Sequence, residues 1–260
     1  MNNKREFTSR LTNRQAALAI AYLPVHLWLL PMLVTGLMKN GLISKAGANL
    51  LCYGVGLVFM AVFLGDFLIR DFSPVIRDTP RVLAEVVIGY GLMLLSNLLV
   101  NIALMFIVPV QQNPNNMAVF DMAGERFGAV AVLAVLMAPI VEECIFRAGI
   151  FGTVRRYNRV LAYAVTMLLF SAYHVWSYAI HDPINWVYML QYIPITFILC
   201  RCYERTNSIW GSIFLHMLIN GISVAAMNLI NRLMDIQQLA ELARAGREGA
   251  SVLLRVWGLL

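Results

Sequence analysis

The chain has 260 residues, 60% of them hydrophobic and only 13% charged, with a mean hydropathy of +0.71. Soluble domains carry about a quarter of charged residues, so this composition excludes a water-soluble enzyme and marks a single polytopic membrane domain over 1–260. The net charge of +6 does not point to nucleic acid as a partner. The basic residues gather in short loops, as the positive-inside rule expects, and none is interleaved with aromatics as single-strand binding requires.

Lys4, Arg5, Arg10 and Arg14 precede an apolar run over 15–38. It is too long for a signal-peptide core and has no small-residue cleavage site, so it is read as a first span. Stretches of about 18 or more apolar residues place further spans at 46–65, 86–110, about 127–154, 160–180, 183–200 and 206–231. The second loop contains Pro74 and Pro80 and has room for a short surface helix. The third, 111–125, opens Q-Q-N-P-N-N and is expected to be the most polar outward connection. The tail, 233–260, mixes Asp235, Glu241, Arg244, Arg247, Glu248 and Arg255 with apolar residues. Its uncharged pieces are too short to span, which suits an interfacial amphipathic helix.

The expected fold is therefore all-α, a polytopic transmembrane helix bundle of seven or eight spans with an interfacial C-terminal helix. Twelve basic residues fall before the first span and in every second loop after it, against three (Lys39, Lys45, Arg126) in the alternate loops. That bias predicts a cytoplasmic N-terminus. Cys52, Cys144, Cys200 and Cys202 contain no C-x-x-C spacing, so neither a disulfide framework nor a cysteine zinc cage is indicated.

The fourth span qualifies only if Glu142, Glu143 and Arg147 are forgiven. A charge at the centre of a bilayer costs on the order of 2.5–3.5 kcal/mol on insertion scales, so three in six positions need a reason. His174, His216 and Asn220 also stand at helix depth. At about 1.5 Å per residue, Glu142 lies about 20 Å from Arg155 and His174 about 22 Å from Arg159. His216 lies about 16 Å, and Asn220 about 22 Å, from Arg205. Three helices thus bring polar groups to one slab near the bilayer midplane.

Helical spacing assigns faces. Glu143 and Arg147 are i, i+4 and can pair, while Glu142 is turned about 100° away and is left to face other helices. Pro139 removes a backbone hydrogen bond just upstream. His216 and Asn220 are i, i+4 and share a face, as do Phe170 and His174. Each feature alone has a plain structural reading: a Glu–Arg staple, or a His or Asn as interhelical glue. Together at one depth they favour chemistry. His26 and His181 have no such partners and are read as structural and as part of a solvated turn. A carboxylate away from bulk water suits general acid/base work, a facing histidine can hold water, and a His–Asn pair offers donors to an oxyanion. Those are parts for amide hydrolysis without a serine or cysteine nucleophile.

At these residues the sequence resembles the CPBP family, the CAAX proteases and bacteriocin-processing enzymes. Its E-E-x-x-x-R motif is Glu142, Glu143 and Arg147, its F-x-x-x-H is Phe170 and His174, and its H-x-x-x-N is His216 and Asn220. The resemblance covers about 127–231, read as the catalytic core. It implies an integral membrane endopeptidase, expected in a bacterial plasma membrane, with a peptide or protein substrate that in some members is lipidated. Other members confer bacteriocin immunity. By position, Glu142 would activate water with help from His174, His216 and Asn220 would form the oxyanion site, and Glu143, Arg147 and Phe170 would support them. A metal-free glutamate mechanism with no cofactor is expected. The alternative is zinc on Glu142, His174 and His216, although H-E-x-x-H is absent. A proton-coupled transporter and a non-catalytic immunity or scaffold protein are the competing readings.

Overall fold

The computed structural model describes residues 6–107 and 113–256, with side chains to residue 238 and at 241. Every regular element among them is helical. Helix α1 is Asn13–Lys39, α2 Lys45–Asp71, α3 the short Ser73–Arg77, α4 Thr79–Ile107 and α5 Pro114–Val154. Helix α6 is Arg159–Ala179, α7 Pro183–Thr206 with a 3-10 first turn and α8 Ile209–Val256. Seven of these are long and apolar enough to cross a membrane. The protein is an all-α polytopic bundle.

Local sequence explains the ends. Thr12 and Gln15 form a reciprocal capping box at the start of α1, and Ser44 and Asn158 cap α2 and α6 through their side chains. The turn from α7 to α8 passes through Asn207 at φ 52°, a left-handed position that asparagine tolerates. Thr8 and Ser9 backbone N–H groups donate to the Asn207 side chain at 2.8 and 3.0 Å, and the Tyr203 hydroxyl donates to the Ser9 carbonyl at 2.8 Å. The N-terminal segment is thereby tied across the α7–α8 turn, at the same end as Arg155, Arg156 and Arg159.

Two boundaries differ from the sequence reading. The expected outward loop is mostly helix: α5 begins at Pro114, capped by Asn113, and a proline in the first turn behind an asparagine cap is a strong start signal. It bends at Arg126, whose φ of −145° and ψ of 64° are not helical. Gln111 and Gln112 lie outside the described residues. The last span continues without interruption into the tail as one helix, Ile209–Val256, because no glycine–proline break intervenes, and residues 257–260 lie outside the described residues. The short α3, Ser73–Arg77, is a helix in the second loop, where the sequence leaves room for one.

Helix α5 is the axis of the bundle. In its most apolar window 56% of residues are buried, against 11–39% for the other spans, and 141–152 are buried without interruption. Close approach is bought by small residues. A Cβ on Gly56 of α2 would lie 3.1 Å from the Val141 methyls, so α2 lies directly against the turn that carries Glu142. A Cβ on Gly89 of α4 would meet Leu215 at 2.5 Å.

Candidate active site

Around the acidic pair, α5 is not a regular α-helix. Wide π-helical turns over Val132–Met137 and Cys144–Phe151 bracket the α-helical Ala138–Glu143. Such turns expand the helix and re-aim side chains, and they recur at functional sites. In the first, the Ala138 N–H bonds the Leu133 carbonyl, five residues back. The next bond in that register would run from residue 139 to the Ala134 carbonyl, but Pro139 has no N–H. The Asn220 side chain fills the gap, donating from Nδ2 to the Ala134 oxygen at 2.8 Å. One of the three motifs is thus tied to the backbone that presents another.

Glu142 is 4% exposed, and its two carboxylate oxygens have different surroundings. Oε1 accepts the Tyr53 hydroxyl at 2.7 Å, and Tyr53 is within 2.9 Å of the Tyr173 hydroxyl. Oε2 faces the imidazoles of His174 and His216, with Nε2 of each at 3.9 Å. The other ring nitrogens fix the tautomers. His174 Nδ1 lies 2.9 Å from the Phe170 carbonyl, which can only accept, so Nδ1 carries the proton. His216 Nδ1 lies 2.8 Å from Glu143 Oε1 and donates to that carboxylate. In the neutral rings Nε2 is then the unprotonated nitrogen of each, 3.9 Å from Glu142 Oε2.

Glu143 and Arg147, both fully buried, pair at 3.0 Å, so one carboxylate oxygen serves a guanidinium and an imidazole. The Arg147 guanidinium also lies 4.1 Å from the centre of the Phe170 ring, a cation–π contact. With neutral imidazoles the cluster Glu142, Glu143 and Arg147 carries one net negative charge. His174 is stacked on Tyr192 at 4.4 Å and 21°. The Tyr192 hydroxyl accepts amide N–H groups from Asn113 at 3.2 Å and Asn115 at 3.1 Å, so the start of α5 braces a histidine of the site.

The structure therefore gathers Glu142, His174 and His216 at one point, and pairs Glu143 with Arg147 behind them. Asn220, expected beside His216 as an oxyanion donor, has one of its N–H groups engaged by the Ala134 carbonyl. Tyr53, Tyr173 and Tyr192 were not singled out from sequence. Tyrosines in apolar runs carry no motif, and only packing shows which hydroxyl meets a carboxylate. His26, read as structural, stacks edge-on to Tyr53 at 4.6 Å, and His181 bonds the Ser177 carbonyl at 2.9 Å in an exposed turn.

The donor set can be tested for zinc. With zinc–nitrogen and zinc–oxygen bonds of about 2.0–2.2 Å, tetrahedral geometry needs N···O of about 3.4 Å, and 3.9 Å opens the angle to about 140°. Among the described residues no group of three or more His, Cys, Asp and Glu is arranged to hold a metal ion. The residues as they stand do not fit zinc.

Residues 125–222, which hold every motif residue above, match the family model described as Type II CAAX prenyl endopeptidase Rce1-like. This segment is similar to the Rce1-like domains of the CPBP family. Among curated proteins the chain is similar to the UPF0177 protein YxdF of Lactococcus lactis, 27% identical over 96 residues, covering 37% of this chain and 49% of that protein. It is also similar to the "Putative membrane peptidase YdiL" of Bacillus subtilis, 26% identical over 111 residues, covering 42% of this chain and 41% of the relative. A third, the UPF0177 protein YvdC of Lactococcus lactis, is 23% identical over 167 residues, 63% of this chain and 61% of that protein. The chain spans about half the length of the first two of these relatives. No solved structure matches it. Seven apolar helices together with an Rce1-like domain make this an integral multi-pass membrane protein.

Proposed function

We propose that this Rce1-like protein is a membrane-embedded endopeptidase that hydrolyses a peptide bond with water activated by Glu142. The observation that carries the reading is the convergence of His174 Nε2 and His216 Nε2 on Glu142 Oε2, at 3.9 Å each, while Tyr53 holds Oε1. A gap of that width suits one water at about 2.8 Å from each side. The water gives a proton to Glu142 as its oxygen attacks the scissile carbonyl, and Glu142 returns that proton to the leaving amine. His174, oriented by the Phe170 carbonyl and by Tyr192, accepts a hydrogen bond from the water's remaining O–H and fixes its direction of attack.

His216 is the proposed oxyanion donor. Its Nδ1–H is committed to Glu143, so donation to the oxyanion comes from Nε2–H of the doubly protonated ring. Asn220 has a second N–H for the same oxyanion, and its first N–H keeps α8 in register with α5. The substrate is proposed to be a peptide segment delivered within the bilayer, with prenylated C-terminal peptides the first class to try. The N-terminal end of the bundle, rich in arginine, is proposed to face the cytoplasm of a bacterium.

The test is cleavage of an internally quenched farnesylated CAAX peptide, and of its unmodified counterpart, by protein in proteoliposomes. Glu142→Ala and His174→Ala are expected to abolish turnover while the proteins still insert and keep their helical content. Undiminished turnover in both variants would sink the reading.

A further inference from the structure

Away from the acidic pair, a cavity of about 530 Å³ opens between α6 and α7 at the end where α4 and α6 begin and α7 stops. Its rim is charged. Glu204 accepts Arg155 at 2.5 Å, Arg159 at 2.8 Å and the Tyr163 hydroxyl at 2.9 Å. Glu85 pairs with Arg201 at 2.9 Å and Arg205 at 3.3 Å. Four guanidiniums therefore share two carboxylates, leaving a surplus of two positive charges. Both carboxylate side chains are nearly covered, while those of Arg159 and Arg205 remain 62% and 58% exposed. The surplus is turned outward.

Below that rim the wall is apolar. Ala164, Met167 and Phe197 line it, and Met167 and Phe197 each lie eight residues from Arg159 and Arg205, about 12 Å down their helices. The cavity is thus cationic at the mouth and hydrocarbon-like along its length, on a surface that faces lipid. Basic pockets between spanning helices are sites for anionic headgroups. An internal ion-pair network needs no excess of cations, and a soluble anion needs no 12 Å apolar wall.

We propose that this cavity binds an anionic phospholipid, with its phosphate at Arg159 and Arg205 and one acyl chain laid along Ala164, Met167 and Phe197. The assignment is independent of peptidase activity.

Native mass spectrometry of the full chain in mixed phosphatidylglycerol and phosphatidylcholine tests it. The wild type is expected to retain phosphatidylglycerol about tenfold over phosphatidylcholine, and Arg159→Gln with Arg205→Gln together to bring the ratio near one. Ala164→Trp, which fills the apolar wall and spares every charge, is expected to lower retention of either lipid without changing the melting temperature by more than about 2 °C. Equal retention of the two lipids by the wild type overturns the proposal, as does a ratio untouched by the double variant. If inorganic phosphate alone displaces the bound lipid, or Ala164→Trp has no effect, the site is one for a soluble anion and the proposal again fails.

Discussion

Tyr53 on α2 donates its hydroxyl to Oε1 of Glu142 on α5 at 2.7 Å, across 89 positions of sequence. That one bond divides the carboxylate into a held oxygen and a free one, and the free oxygen is the one both imidazoles face. Hydrogen bonds to charged groups are worth about 1.5–3 kcal/mol. Tyr53→Phe, which deletes only the hydroxyl, is therefore expected to lower kcat about 10- to 100-fold with KM nearly unchanged. Tyr173→Phe removes only the outer bond of the chain and is expected to cost less. Steady-state cleavage of the quenched peptide gives both numbers, and a Tyr53→Phe protein with wild-type kcat would show that Oε1 needs no holder.

The bond between Asn220 and the Ala134 carbonyl makes a sharper distinction. If Asn220 acts partly by satisfying the oxygen that Pro139 leaves free, Asn220→Ala strands a half-buried carbonyl and costs about 1–3 kcal/mol of stability. Pro139→Ala supplies an N–H to that register and should recover part of the loss in the double variant. A coupling of more than about 0.5 kcal/mol in the thermal unfolding cycle is the expected result. Strict additivity would leave Asn220 with an oxyanion role alone.

Glu143 and Arg147 form a fully buried pair, and breaking one side of such a pair typically costs about 3–5 kcal/mol. Arg147→Met is expected to cut the yield of folded protein severely. Adding Glu143→Gln removes the stranded charge and should restore much of the stability. Turnover is not expected to return, because His216 has then lost the carboxylate that orients its ring at Nδ1. Melting temperature and cleavage measured on the same preparations separate the two effects.

The spacing of the two imidazoles from Glu142 suits water rather than a tetrahedral metal. Dialysis against a strong chelator is accordingly expected to leave cleavage intact. Loss of activity on dialysis with recovery on adding zinc would require the three side chains to move together by about 0.5 Å per contact.

Much of this was legible in the chain itself. Apolar run lengths located the seven spans, because a bilayer core demands about 20 apolar residues of helix. The i, i+4 spacing of Glu143 and Arg147 made their pairing readable, since helix geometry alone brings those positions together. Counting residues from the nearest arginine put Glu142, His174 and His216 at one depth, because helical rise is constant. The polar stretch after 111 was harder: composition suggested a loop, while Asn113 and Pro114 supplied a helix start that local polarity does not override.

Tertiary structure alone decided which groups meet. No periodicity says that Tyr53, on a span without a motif, reaches Glu142, or that Tyr192 stacks on His174. Those contacts depend on how the helices rotate and approach, which small residues such as Gly56 permit. The acidic pair first stood out as two carboxylates placed where charge is costly. Packing gave them different work by setting Glu143 against Arg147 and His216 and leaving one oxygen of Glu142 turned to the two imidazoles. The rotation of each helix about its own axis is fixed by side-chain packing over the whole bundle, and that information is not local to any stretch of sequence.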